Sequence, residues 1–463
     1  MCNGMEKAVG KKEGKSVRTG DMPDQTRKRV ALVTLGCKVN QYESAGLAER
    51  MEQLGHTLVG FDAEADVCII NTCTVTARTD FQSRQLIRRA VRRNPGAPVI
   101  VTGCYAQVAA DRLKALPGVR IVAGNVEKEL IPGLVGTLNG GPVDVLVRNI
   151  GKTRRFSGLA PEIFPGRTRA YLKIQDGCNA WCSYCIVPRA RGPSRSMPED
   201  DVIKRACAIA AAGYREMILT GVHLGAWGED LSPASGLPSL VSRVSNEVKF
   251  NRLRLSSIEP LEVTAELIDC LQESKILCPH LHIPLQSGDD RVLAAMGRRY
   301  NSKFFSGLVN RLVAGIPSLA IGVDVMAGFP GESDREFENT MSLLRDLPVA
   351  YLHVFPYSDR PKTAASALPD KVEEPKKKKR AAALRILGLE KRDAFARKFI
   401  GFTQTVLVEG SRDRKTGRLK GFTGSYVPVV LQSGSEEMIN RIVDVRIESV
   451  DAGIATGRVC HEQ

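Results

Sequence analysis

Cys178, Cys182 and Cys185 stand in the run Asp176-Gly177-Cys178-Asn179-Ala180-Trp181-Cys182-Ser183-Tyr184-Cys185, a C-x3-C-x2-C spacing with no fourth cysteine in the loop. Cubane iron–sulfur clusters are usually held by four thiolates. Three thiolates leave one iron without a protein ligand, open to a small molecule. A structural zinc site takes four ligands in a closed tetrahedron, and no histidine lies within this loop. The spacing therefore points to an iron–sulfur cluster with one open position.

A second set is spread out. Cys37, Cys73 and Cys104 end the runs Thr34-Leu35-Gly36-Cys37, Ile70-Asn71-Thr72-Cys73 and Val101-Thr102-Gly103-Cys104, each directly after a predicted strand. In an open parallel sheet the carboxyl ends of the strands converge on one crevice. Gly36 and Gly103 would let the backbone turn tightly there. The equivalent placement argues for a second three-thiolate site, with simple buried cysteines as the alternative. Cys2, Cys68, Cys207, Cys270, Cys278 and Cys460 fit neither pattern and read as small buried hydrophobes.

The elements that must position these thiols can be read from periodicity. Residues 1–28 are polar and weakly hydrophobic, which predicts a disordered tail. Over 29–150 the short β-branched runs Arg29–Leu35, Asp66–Asn71 and Pro98–Thr102 alternate with helix-like Gln41–Leu54 and Asp80–Arg93. That alternation predicts an α/β domain with a parallel sheet. Over 164–398 six further strand candidates recur: Ala170–Gln175, Glu216–Thr220, Arg252–Ser257, His280–Leu285, Ile321–Met326 and Ala350–Phe355. Between them fall helical stretches such as Pro198–Ala212, Val263–Glu273 and Glu332–Leu347. Six βα units predict an incomplete barrel, whose functional groups sit where strands end. The C-x3-C-x2-C loop follows the first of those strands. Residues 402–463 hold short β-type runs, Thr405–Glu409, Ser425–Leu431 and Ile442–Val450, and predict a small β-barrel. The basic run Lys376–Arg380 before helix-like Ala381–Phe399 reads as a solvated face or an RNA contact.

The 463 residues suffice for about three domains at ~150 residues each. No long uninterrupted apolar segment exists, so neither a membrane-spanning helix nor a secretory signal is expected. Twelve cysteines without a regular framework suggest a reducing cytoplasm rather than disulfides. A net charge of +15 suits a polyanionic partner.

The C-x3-C-x2-C run, with an aromatic residue before its last cysteine, resembles the signature of the radical S-adenosylmethionine (SAM) superfamily. From about 30 to 463 the chain resembles the methylthiotransferases of that superfamily, and its last domain resembles their TRAM domain, a small RNA-binding β-barrel. Thr34-Leu35-Gly36-Cys37-Lys38-Val39-Asn40-Gln41-Tyr42-Glu43-Ser44, Leu172-Lys173-Ile174-Gln175-Asp176-Gly177-Cys178 and Val354-Phe355-Pro356-Tyr357-Ser358 look most like the branch that modifies N6-threonylcarbamoyladenosine in tRNA. In Arg360-Pro361-Lys362-Thr363 the chain departs from that pattern, with Lys362 where Gly would be expected.

The resemblance implies a cytoplasmic enzyme that adds a methylthio group to carbon 2 of the modified adenine next to the anticodon. It implies two [4Fe-4S] clusters and SAM, the latter on Cys178, Cys182 and Cys185, with a sulfur-carrying cluster on Cys37, Cys73 and Cys104. An electron donor, a sulfur source and the tRNA anticodon stem-loop would be the partners. Further cofactor-site residues are expected at strand ends: Thr220, Gly221, His223, Ser257, Glu259, Gln286, Ser287 and Gly328, with Tyr184 packing on the adenine of SAM. Turn or capping roles are the alternative for each. Arg412, Arg414, Lys415, Arg418 and Lys420 are RNA contacts or a solvated hairpin tip. His282 and His353 lie in strands and read as structural. Rival readings keep the chemistry but change the substrate, to isopentenyladenosine in tRNA or an aspartate of a ribosomal protein. A two-cluster electron carrier without catalysis is a rival of another class.

Overall fold

The computed structural model describes residues 27–138 and 141–462. The predicted tail lies almost wholly outside these residues, as does Cys2. The described chain forms two compact units.

The first unit takes the N-terminal residues to Ile163 together with Asp176–Asn179 and Ile186–Arg195. Its sheet is entirely parallel: β1 (Arg29–Thr34), β2 (Thr57–Val59), β3 (Val67–Thr72), β4 (Val99–Gly103), β5 (Val119–Ala123) and β6 (Asp144–Leu146), in the order β2-β1-β3-β4-β5-β6. β3 reads Val-Cys-Ile-Ile-Asn-Thr and is buried throughout. A strand covered on both faces needs such a continuous apolar run rather than alternation. Helices α1 (Lys38–Gln53) and α2 (Ala77–Arg93) supply covering layers. Leu47 and Met51 of α1 pack on Val30, Val67 and Ile69, and Ile87 and Ala90 of α2 pack on Cys68, Ile70 and Val99. Each fully buried aliphatic side chain contributes roughly 1.5–3 kcal/mol. Thr76 starts α2 through a reciprocal capping box with Thr79, which satisfies amide donors the helix itself leaves free.

The second unit holds six parallel strands: β7 (Arg169–Lys173), β8 (Glu216–Thr220), β9 (Arg252–Leu255), β10 (His280–His282), β11 (Ala320–Ala327) and β12 (Tyr351–Pro356). They form two three-stranded halves, β7-β8-β9 and β10-β11-β12. Isolated pairs Leu253–Leu277 and Ser257–His282 link the halves. Among the described residues no ladder joins β12 to β7, so the barrel stays open, as six βα units predict. A Ser333–Glu336 capping box starts the helix Asp334–Asp346.

The long helix α3 (Glu374–Arg397) opens at Glu374, not at Ala381. The basic run therefore lies inside it. Spacing of three places Lys377 and Arg380 on one face, and that face is buried. Arg380 donates to Glu332 Oε2 at 2.7 Å and to Asp334 Oδ1 at 2.8 Å, and the Lys377 ammonium lies 5.9 Å from the Tyr357 ring centre. Two of the five cations are thus packing residues, contrary to both readings at those positions, while Lys376, Lys378 and Lys379 are exposed. At its other end α3 sends Phe395, and the turn just after it Phe399, into the core of the last barrel, among Val406, Val429 and Val443.

That barrel is closed: β13 (Thr403–Arg412), β14 (Leu419–Thr423), β15 (Pro428–Leu431), β16 (Ile442–Asp451) and β17 (Ile454–Glu462), in the order β13-β14-β15-β17-β16. It seats on the first residues of the parallel strands. Arg252 donates to the carbonyls of Phe422 (2.9 Å) and Thr405 (2.7 Å), and Arg254 to that of Gly424 (2.9 Å). Glu216, fully buried at the start of β8, accepts from Arg254 Nε at 2.9 Å. Burial opposes its charge, but the surrounding arginines hold its carboxyl below the usual range.

Candidate active site

Cys37 caps the N-terminus of α1 after β1, Cys73 follows β3, and Cys104 follows β4. The structure brings all three to the carboxyl end of the sheet. Gly36 has φ +104, and a Cβ there would lie 2.7 Å from Cys73 Cβ and 3.0 Å from its sulfur. At Gly103, with φ +96, a Cβ would lie 2.3 Å from the Thr72 carbonyl oxygen. Gly36 is required by the close approach of Cys73, and Gly103 by that of the neighbouring strand's backbone at Thr72. Burial, with added repulsion from Cys104 and Cys37, pushes the Cys73 thiol up to about 12. Cys37 keeps a solvent-facing edge, yet enough protein surrounds its sulfur for burial to push that thiol up too. Such thiols ionise on binding a metal.

Beneath the thiols lies a buried charge cluster that sequence reasoning did not single out. Arg191, only 2% exposed, donates from Nε to Cys104 Sγ at 3.3 Å. Its Nη1 lies 2.5 Å from Glu43 Oε1 and 3.3 Å from both Asp176 oxygens, and its Nη2 donates to Asn40 Oδ1. Lys128 pairs with Glu43 and donates to Asn125 Oδ1 at 3.2 Å. Burial opposes the Arg191 charge, but Cys104, Glu43 and Asp176 raise its pKa well above the ordinary value. Burial lowers that of Lys128.

Of the cysteine loop, Cys178 belongs to the first unit and Cys182 and Cys185 to the second. The Cys178 N–H donates to the Gly192 carbonyl at 3.0 Å. Gly177, at φ +76, passes so close to Pro193 that a Cβ would lie 1.9 Å from its carbonyl oxygen. Ser183 is pinned through Met296 (3.0 Å) and Ala365 (2.7 Å). Arg298 donates to Cys182 Sγ at 3.4 Å and is itself held by Glu259. Burial pushes the Glu259 carboxyl up against that pairing. Tyr184 packs against the cluster of Met296, Phe329 and Tyr357, and burial raises its phenol well above the ordinary value, so it stays protonated.

The other strand-end residues divide by what they touch. Thr220 is buried, and its carbonyl accepts from Ile174 N–H at 2.9 Å. A Cβ at Gly221 would meet Gln175 Oε1 at 2.9 Å, and the His223 N–H donates to that same oxygen at 2.7 Å. His223 Nε2 lies 2.5 Å from Glu262 Oε1. Ser257 is exposed and Ser287 buried. Gln286 holds φ +70, its N–H on the Asp324 carbonyl at 2.8 Å. Gly328, at φ +79, makes room for Lys377 and donates to Glu332 at 2.7 Å. Lys362 takes φ +70, the left-handed region that favours the glycine expected there.

Inside the strands, Asp324 Oδ1 lies 2.9 Å from His282 Nε2 and 3.5 Å from His353 Nδ1. The three could ligate a metal, for their donor atoms lie within 4.8 Å of one another. Burial works against the Asp324 carboxylate, yet the two imidazoles hold it well below the usual range.

Three segments match known families: residues 29–124 the uncharacterized protein family UPF0004, residues 172–344 the radical SAM superfamily and residues 397–460 the TRAM domain. The threonylcarbamoyladenosine tRNA methylthiotransferase MtaB of Bacillus subtilis is 40% identical over 90% of this chain and 93% of its own length. The protein of that name from Aquifex aeolicus is 38% identical over 82% and 92%. The chain belongs to the radical SAM methylthiotransferases, in the MtaB branch. Membership of the superfamily implies a [4Fe-4S] cluster and SAM. A tRNA-2-methylthio-N(6)-dimethylallyladenosine synthase of Pelotomaculum thermopropionicum is 31% identical over 93% of this chain and 97% of its own. Among solved structures, the radical SAM methyltransferase TsrM of Kitasatospora setae aligns with TM-score 0.53 and 17% identity over 73% of this chain and 77% of its own, a likeness of fold.

In this methylthiotransferase the hairpin between β13 and β14 carries Arg412, Arg414, Lys415 and Arg418, all exposed, with Lys420 half-buried. Arg412 is already paired with Glu436. Cys460, read as buried, is exposed on β17, whereas Cys68 and Cys278 are buried. The missed residues Glu43, Asp176 and Arg191 left one signal: each is a charge set in or beside a cysteine motif.

Proposed function

We propose that the protein inserts a methylthio group at carbon 2 of N6-threonylcarbamoyladenosine next to the anticodon of tRNA. The observation that carries this reading is the pair of three-cysteine sets, in a chain matching MtaB proteins over most of its length. Cys178, Cys182 and Cys185 would hold the cluster that binds SAM. Cys37, Cys73 and Cys104 would hold a second one carrying sulfur, and the donor set fits: three thiols at strand ends, with a guanidinium on one of them. When bound, the clusters and SAM supply one-electron chemistry at an unactivated C–H bond, together with the sulfur and methyl of the product. The chain's own part is positional. Arg191 holds Cys104 against Glu43, and Arg298 holds Cys182 against Glu259. Thr220, Gly221, His223, Ser257, Glu259, Gln286 and Gly328 are proposed to line the SAM side, with Tyr184 beside the adenine. Arg412, Arg414, Lys415, Arg418 and Lys420 are proposed to meet RNA phosphates, as cations do. An electron donor and a sulfur source complete the reaction, placed in the cytoplasm. No helix among the described residues is long and apolar enough to cross a membrane.

Nucleoside mass spectrometry of total tRNA from a deletion strain, with and without the gene restored, tests the substrate. The 2-methylthio-N6-threonylcarbamoyl nucleoside should vanish and return. If the 2-methylthio-isopentenyl nucleoside tracks the gene instead, the branch is wrong and the chemistry stands. If neither tracks it, the RNA substrate is wrong.

Gly103→Ala tests the sheet-end geometry. Its φ of +96 and the 2.3 Å approach to Thr72 should cost about 1–3 kcal/mol of strain and displace Cys104. The expected result is a lower melting temperature and loss of about half the iron after reconstitution. Wild-type iron content would show that the backbone geometry at Gly103 is not what holds the cluster in place.

A further inference from the structure

A cavity of about 390 Å³ opens where β12, α3 and the last barrel meet. Its walls carry the rings of Tyr351, His353, Phe422 and Tyr426 and the guanidiniums of Arg385 and Arg392, and no carboxylate lines it. The aromatic side is locked. Phe422 stacks on Tyr426 with centroids 5.0 Å apart and planes 23° apart. Arg169 lies 4.8 Å from the Phe422 centroid and Arg254 lies 4.7 Å from that of Tyr426. The Tyr351 hydroxyl lies 2.9 Å from His280 Nε2. The cationic side is less committed. Arg385 is exposed, and Arg392 Nη2 donates to the Ala452 carbonyl at 2.6 Å while its Nε is buried without an acceptor. Leu389, half-exposed, adds apolar wall.

Rigid rings beside one exposed guanidinium, Arg385, and one held only by a backbone carbonyl, Arg392, with no carboxylate in the lining, match a group that is flat and aromatic at one end and anionic at the other. The volume suits a small ligand. Unstacked bases of RNA loops are held by stacking on aromatic side chains and arginine planes, and arginine binds phosphate through its fork. We propose that this cavity takes one splayed-out nucleotide of the RNA substrate, its base packed against the apolar wall and the ring edges of Leu389, Phe422 and Tyr426 and its phosphate against Arg385. The inference rests on the tRNA reading above and adds a contact separate from the β13–β14 hairpin. It gives the open side of β12, where His353 is 56% exposed, a role in seating the RNA.

The test is fluorescence anisotropy of a labelled anticodon stem-loop on the reconstituted holoenzyme across a potassium chloride series. Arg385→Ala should weaken binding about tenfold and make the slope of log K against log salt shallower by about 0.7–0.9, the loss of one phosphate contact. Arg385→Lys should restore the slope. Phe422→Leu should weaken binding with the slope unchanged, since apolar contact with a base releases no counterions. Lys378→Ala, an exposed cation of the same helix outside the cavity, should change neither by as much. Binding by Arg385→Ala equal to wild type, or a loss equal to that of Lys378→Ala, overturns the cavity site and leaves the tRNA reading intact. Failure of wild-type enzyme to bind the stem-loop overturns the tRNA reading and this inference with it.

Discussion

Alanine at Cys178, Cys182 or Cys185 is expected to abolish reductive cleavage of SAM, whereas alanine at Cys37, Cys73 or Cys104 should leave cleavage measurable and abolish the methylthio product. The two sets differ in what surrounds them. The first sits on a loop pinned by Gly192, Met296 and Ala365, with Arg298 on one sulfur. The second sits at three strand ends, whose backbone geometry is set by β1, β3 and β4 and by Gly36 and Gly103. Removing one thiol of three leaves two, too few to hold a cubane that normally takes four ligands. Each variant should therefore lose about half of the iron, and which activity it loses names the set. The readouts are iron per chain, 5′-deoxyadenosine released under reducing conditions and methylthio nucleoside formed. If a Cys73→Ala enzyme still makes product at the wild-type rate, the second site is not part of the reaction. If a Cys182→Ala enzyme still releases 5′-deoxyadenosine, the loop is not where SAM is activated.

The thiols could be found from sequence because a parallel sheet fixes where strand ends go. Once Arg29–Leu35, Asp66–Asn71 and Pro98–Thr102 read as strands, Cys37, Cys73 and Cys104 had to share one edge. The bounds moved by a residue or two, which leaves that edge in place. The short strands β2 and β6, three residues each, gave too little pattern to read. The charge cluster was hidden for a different reason. Glu43, Lys128, Asp176 and Arg191 lie far apart in the chain, and a charged residue in sequence carries no mark of its burial; only tertiary pairing makes it tolerable. The basic run Lys376–Arg380 misled in the same way. Its composition reads as solvated, but the helix phase turns Lys377 and Arg380 onto Glu332, Asp334 and Tyr357. His282 and His353 were correctly placed in strands, yet their convergence on Asp324 depends on the register of β10, β11 and β12, which no single strand reveals.

Arg191→Met should destabilise the first unit by about 3–5 kcal/mol, the usual cost of removing one partner from a buried charge set. Glu43 and Asp176 are almost wholly buried, and Arg191 is the cation they share. Lys128 still faces Glu43 and Arg195 still lies 3.5 Å from Asp176, but neither replaces the bridge that Arg191 makes between the two carboxylates. The effect should shrink in the double variant Glu43→Gln/Arg191→Met, where one of the two carboxylates that Arg191 bridges no longer carries a charge to be compensated. Arg191→Lys should recover little, because a single ammonium cannot reach Cys104, Asn40, Glu43 and Asp176 together as a planar fork does. Urea denaturation of the cluster-free chain measures these three values without any contribution from bound iron. A loss under about 0.5 kcal/mol, the range of ordinary surface changes, would mean the cluster is not holding the sheet end together. A purely structural role for Arg191 predicts that the double variant, once refolded and reconstituted, loads iron as wild type does. The 3.3 Å contact from Nε to Cys104 Sγ predicts otherwise. That hydrogen bond to a ligating sulfur is lost in the double variant, which should regain stability and still hold its second cluster less firmly, releasing that iron faster to a chelator.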